Sequence, residues 1–440
     1  MQARDTGSTP LASAYAVTCI GCGPTIRCGV CTARSPQLGQ HLPKYLPVID
    51  RITLPLLATA PFRTIPGGLP RQLPGVPLVP TVDPQLLVDT RAVLNAVIPA
   101  IAQAQSVVDV ALFSLQPDGA GLELAHALIA KAQQGVEVNV VLDARGSLQL
   151  PGTPWAGLVK QMRAAGVNVK ITSPLAGGTA NRFIDHRKMI VIDGKQAFVG
   201  GMNFAAMCDD WHDTMAHVGG ATAAAAGAYF LQRWSSLGGA VSAAHHAATN
   251  VPMSRSGRAG APADTGVLVN APDRKEWALT EHYLHSIRTA RKRLWIVTPF
   301  IGDQRIVRAL QAAARRGVDV RVMTSGKPLM SQQIVSMFTR SSYDELLASG
   351  VKVGEIPQVT HAKILLVDDT ATISSLNASR RATQHDHEMG IVSHNPVFRA
   401  QVVALMNADF ARSKHYTVRD LNTIPQRVVN GIVSLFDIEY

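Results

Sequence analysis

The chain has 440 residues, 47% of them apolar and 17% charged, and a formal net charge of +11. That is the composition of a globular protein with a sizeable core, long enough for two or three domains or one large pseudo-symmetric unit plus an extension. No run reaches the ~18–20 consecutive apolar residues that span a bilayer, and the positive excess points to anionic partners: nucleic acid, an anionic membrane surface or a phosphate-bearing substrate.

The elements begin with a distinct N-terminal extension, residues 1–83, which holds 12 of the 26 prolines and only two acidic residues before Asp83, Asp5 and Asp50. Its first residues, MQARDTGSTPLASAYAVT, make a poor secretory signal, with one early Arg, one early Asp and a short apolar run. The default reading is a cytoplasmic or peripheral membrane protein, with signal-independent export left open. Cys19, Cys22, Cys28 and Cys31 are spaced as two Cys-x2-Cys knuckles with five residues between them. A small structural zinc site is one use of such a set; an iron–sulfur site, disulfides or no role at all are the others. Residues 61–80 are too proline-rich for a helix and read as an extended linker.

From Pro84 the texture changes to alternating helix and strand patterns: helix 85–104, strand 106–115, helix 121–134, strand 135–144, helix 153–165 and strand 166–174. The order recurs with helix 276–293, strand 294–301, helix 303–316, strand 317–326, helix 333–348 and strand 350–357. AQQGVEVNVVLDA and AARRGVDVRVMTS are one unit written twice. A repeat of about 180 residues means duplication of a whole domain. The expected fold is therefore α/β, two pseudo-symmetric α/β/α halves with mixed sheets at 84–238 and 266–440. They are joined by a small, polar linker at 239–265, whose His245 and His246 read as solvated.

Each half closes on the same constellation. The first has His186, Lys188 and Asp193, then Gly200, Gly201 and Asn203; the second has His361, Lys363 and Asp368, then Ser374, Ser375 and Asn377. The run between His and Asp is apolar and branched, a buried strand that puts His and Lys at i and i+2 on one face. Two such strands side by side present two imidazoles and two ammonium groups to a common cleft. One neutral imidazole can attack phosphorus while a protonated one serves the leaving oxygen, and no metal is required because lysine neutralises the developing charge. Asn203, Asn377 and Ser375 are candidates for holding the phosphate oxygens. Asp193 and Asp368 complete the two motifs and are read as anchoring the turn. Asp213 and Glu388, each 27 residues after its half's histidine, are read as the carboxylates that orient the histidines. His212, His385 and His387 are read as polar rim, and Cys208 as a lone buried thiol.

Two copies of His-x-Lys-x4-Asp, each followed by a turn and a Gly-Ser-x-Asn-like sequence, resemble the phospholipase D superfamily over roughly residues 84–415. HRKMIVIDGKQAFVGGMN with WHDT, and HAKILLVDD with SLNASRR and HEMGIV, are similar to the cardiolipin synthase branch, with Arg381 where the family often has Arg. The resemblance implies a covalent phosphohistidine, with His186 as nucleophile and His361 as acid/base. It also implies a phospholipid substrate at a membrane surface, cleaved or transferred to an alcohol. A nuclease acting on nucleic-acid phosphodiesters is the alternative, and a phosphate-docking binding protein the third reading. Two halves in one chain make a pseudo-dimer, hence a monomer. The departures are a first turn without serine (Gly200-Gly201) and a second turn one residue shorter.

Overall fold

In the computed structural model the described residues are 77–421, apart from 83, 148–152, 173–182, 250–262, 329–335 and 337–338. Cys19, Cys22, Cys28 and Cys31 lie outside them, as does most of the proline-rich stretch.

Two sheets carry the molecule. The first runs in the order Gln85–Val88, Thr214–Gly219, Gln196–Gly200, Lys188–Ile192, Val107–Leu112, Glu137–Asp143, Asn168–Thr172. The second repeats this as Ala263–Ala271, Glu388–Ser393, Thr370–Ser374, Ile364–Val367, Arg293–Val297, Asp319–Ser325, Lys352–Ile356. It adds Lys414–Tyr416 at one edge and Val79–Pro80 at the other. In both, the last three strands of the repeated unit pair in parallel and the others antiparallel, so each sheet is mixed.

The continuous apolar strands VVDVAL and ILLV are buried along their whole length because both faces of each sheet are covered. Helices Asp89–Ala102, Gly119–Gln133 and Pro154–Ala164 cover the outer face of the first sheet. Ala278–Thr289, Gln304–Arg315 and Tyr343–Ala348 do the same for the second. A central cluster joins the inner faces: Met189, Val191 and Val199 from one sheet, Ile364, Leu366 and Ile373 from the other. Phe230 and Phe398 of helices Ala221–Ser236 and Pro396–Arg412 complete it. At ~1.5–3 kcal/mol per fully buried large apolar side chain, this shared core holds the halves in one arrangement. Among the described residues no helix is long and apolar enough to cross a membrane.

Several expectations are corrected. The helix expected over 85–104 starts as the edge strand Gln85–Val88, paired to Thr214–Gly219, and turns helical only at Asp89. The stretch read as linker contains the helix Ala243–Thr249 and the start of the strand Ala263–Ala271. His245 is not solvated. It is fully buried, its Nε2 3.0 Å from Asp109 Oδ1 and 2.9 Å from Asn139 Nδ2, because two polar side chains on neighbouring strands need a partner there. His246 is exposed.

Candidate active site

The two motif strands do not lie side by side; they belong to different sheets. Their apolar side chains share the central core, and the backbone pairing between the halves is made by the segments that flank those strands. Extended backbone at 184–186 pairs with His387 (His186 N–H to His387 O, 3.0 Å; His387 N–H to Ile184 O, 2.8 Å). Extended backbone at 359–362 pairs with His212 in the matching way: His212 N–H to Val359 O and His361 N–H to His212 O are both 2.8 Å. Each histidine is thus delivered from the end of its own strand against the other half's carboxylate segment.

The carboxylates read as orienting are consequently exchanged between the halves. His186 Nδ1 is 2.9 Å from Glu388 Oε1, and His361 Nδ1 is 2.6 Å from Asp213 Oδ2. All four side chains are buried, and with Nδ1 engaged the open ring nitrogen of each imidazole is Nε2. Lys188 Nζ donates to His186 O at 2.7 Å, and Lys363 Nζ donates to His361 O. Each ammonium keeps two further protons for a ligand.

Burial dominates the electrostatics. It pushes His186 well down, helped by Lys188, Lys363 and His361, and takes His361 to about 4 with Lys363 adding to the effect and Asp213 opposing it. Both shifts favour the neutral imidazole in the free site. Burial also lowers Lys188 to about 8 and pushes Lys363 down. Burial raises Glu388, against the pull of Lys188 and the hydroxyl of Ser375. For Asp213 the burial penalty is outweighed by His361 and Lys363, so its carboxyl sits below the usual range.

The family description "Cardiolipin synthase, PLD-like domain" matches residues 97–226 and 283–413, one stretch in each half. The chain belongs to the phospholipase D superfamily, in its cardiolipin synthase branch. Cardiolipin synthase A of Pseudomonas putida (strain W619) is 30% identical over 354 residues, spanning 76% of this chain and 70% of the relative. Probable cardiolipin synthase YwiE of Bacillus subtilis (strain 168) is 30% identical over 310 residues, 66% of this chain and 59% of the relative. The crystal structure of phosphatidylserine synthase from Haemophilus influenzae Rd KW20 shares the fold. Its TM-score is 0.63 at 15% identity, over 82% of this chain and 95% of that one.

Within this phospholipase D frame the remaining predicted residues separate by place. Asp193 and Asp368 stand beyond the far ends of their strands. Five strand residues, Lys188–Ile192, put Asp193 roughly 16 Å from the histidine end. Their carboxylates are occupied by backbone: Asp193 takes Gln105, Ser106 and Val107 N–H at 2.8–3.0 Å, and Asp368 takes Arg291, Lys292 and Arg293 N–H at 2.8–3.1 Å. The Ser375 hydroxyl, read as a phosphate contact, donates to Glu388 and accepts from Met389 N–H in this structure. Asn203 and Asn377 follow the strands Gln196–Gly200 and Thr370–Ser374, and the amide oxygen of each is buried without a hydrogen bond among the described residues. Among the described residues no group of three or more His, Cys, Asp or Glu is placed to hold a metal ion.

The serine-less first turn also has a structural reason. A Cβ at Gly201 would lie 2.3 Å from Asp213 Oδ1, whereas the equivalent Ser375 supports the longer Glu388. The short aspartate is held instead by Thr214 N–H at 2.7 Å.

The sequence reading missed the aromatic walls. Phe113 packs edge-on against His186 with ring centroids 4.8 Å apart and lies under Lys188 Nζ, while Trp211 is 5.3 Å from His361. Phe113 lies within the predicted strand 106–115, just past the observed end at Leu112, and Trp211 stands two residues before Asp213, so closeness to the motif residues was the available signal. His212 and His387, read as rim, are both buried.

Proposed function

We propose that the chain is a phosphatidyl transferase of the cardiolipin synthase type that works through a covalent phosphohistidine at His186. The observation that carries this reading is the exchange of carboxylates, which gives two opposed, buried imidazoles whose Nδ1 atoms are both occupied. Neutral His186 attacks the donor phosphorus through Nε2, and the bond from phosphorus to the leaving alcohol oxygen breaks. That oxygen takes a proton from His361 Nε2. The bound phosphodiester supplies the negative charge that lifts His361 from its low value, and Asp213 on Nδ1 stabilises the imidazolium. An acceptor alcohol then gives its proton to His361 as its oxygen attacks phosphorus, and the N–P bond breaks.

Lys188, Lys363 and the amides of Asn203 and Asn377 hold the non-bridging oxygens. Phe113 and Trp211 exclude water around the two rings. The donor is a phospholipid presented at a membrane surface, and the relatives' names favour this over a nucleic acid.

The test incubates purified protein with mixed phospholipid vesicles and, separately, with DNA, and identifies products by mass. New phosphatidyl esters are expected, and the yield should persist in EDTA. His186→Ala and His361→Ala should each remove activity to background. Substantial turnover in either variant, or cleavage of DNA alone, refutes the reading.

A further inference from the structure

Trp211–Asp213 carries a second buried histidine that the chemistry above does not use. His212 Nδ1 is 2.9 Å from Asp89 Oδ1, and Nε2 is 3.0 Å from Asp409 Oδ2. Each ring nitrogen faces a carboxylate, and only an imidazolium can donate from both. The two carboxylates outweigh the burial penalty and raise His212 to about 9. The other oxygen of Asp409 takes Arg412 Nη2 at 2.7 Å, so the buried aspartate is fully engaged.

The backbone here is over-determined. Asp89 adopts φ 65°, a left-handed conformation that costs a non-glycine residue on the order of 1 kcal/mol and persists only where the surroundings fix it. In that conformation its N–H donates to Asp213 O at 2.8 Å, and Oδ1 receives His212. On the other side, His212 O accepts both His361 N–H (2.8 Å) and Ala362 N–H (3.1 Å). The imidazolium therefore holds, within two residues, the carboxylate on His361 Nδ1 and the main chain of His361.

The duplicate position is built without the positive charge. His387, one residue before Glu388, adjoins Asp185 with its two arginines Arg187 and Arg233; burial lowers it to about 4, and its Nε2, 3.5 Å from Asp273 Oδ2, makes no hydrogen bond among the described residues.

We infer that His212 is a positioning residue for the proton-transfer half of the centre, clamped between Asp89 of the first half and Asp409 of the second to fix Asp213 and His361. The inference rests on His361 being the acid/base. A loss confined to that role must depend on the leaving group. In His212→Gln, single-turnover cleavage of a phosphodiester with an alcohol leaving group should fall at least tenfold. Release of p-nitrophenolate, which needs no proton, should change less than about threefold. Asp409→Asn, which keeps the side-chain shape, should show the same bias more weakly and serves if His212→Gln does not fold. Equal losses on both substrates in the folded variants overturn the inference. His361→Ala, run alongside, must itself show the leaving-group bias; if it does not, the acid/base assignment fails rather than the role of His212.

Discussion

Gly201 and Ser375 show how single residues settle the two ends of a duplicated centre. The longer carboxylate, Glu388, is matched with a supporting serine, and the shorter one, Asp213, with a glycine that leaves it room. Gly201→Ala should push Asp213 off His361 Nδ1 and lower kcat by an order of magnitude or more, with the fold intact by circular dichroism. A kcat within twofold of wild type would mean the carboxylate relaxes freely. Lys188 sets the alkaline side. It is charged below about 8 and loses its proton above it, so kcat/KM should decline as pH rises through about 8. A profile flat to pH 9.5 would remove the ammonium from phosphate binding.

At the level of elements, the motif aspartates bind the backbone where strands meet. Asp193 ties the turn after Lys188–Ile192 to the amides that open Val107–Leu112, and Asp368 does the same before Arg293–Val297. Two of the three amides on Asp193 are exposed and regain water when the carboxylate is removed, so the loss should cost about 2–4 kcal/mol rather than the full sum of three charge-assisted bonds. Asp193→Ala is therefore expected to lower Tm by several degrees while kcat, assayed well below the new Tm, stays within twofold. Loss of kcat at unchanged Tm would place Asp193 in the chemistry. Such elements were legible because periodicity and the repeat are local: the strands around Val107–Leu112 and Glu137–Asp143 and both His-x-Lys segments follow from them. The strand Gln85–Val88 was not, since its apolar residues fit a helix and only pairing with Thr214–Gly219 decides the matter. His245 was missed for the same reason, its partners lying 136 and 106 residues away.

The whole molecule adds what neither half contains. Each motif histidine bonds a carboxylate from the opposite half, at sequence separations of 202 and 148 residues, and no local pattern encodes that exchange. The His212 clamp spans the same junction. Because His212 is raised from 6.5 to about 9, its contribution to stability is complete below pH 6.5 and lost as pH rises through about 9. The Tm gap between wild type and His212→Gln should therefore narrow over that window, and a gap that widens would contradict the charge state. The exchange also predicts which half fails when a carboxylate is neutralised. Glu388 lies in the second half but orients His186, so Glu388→Gln should slow formation of the phosphohistidine at His186 by about 10²–10⁴, even from a p-nitrophenyl ester. Asp213→Asn, in the first half, should instead spare p-nitrophenolate release and impair expulsion of an alcohol, because it orients His361. Rapid-quench measurement of the phosphoenzyme in the two variants separates the cases. The opposite pattern would make His361 the nucleophile and reverse the direction in which the two halves serve each other.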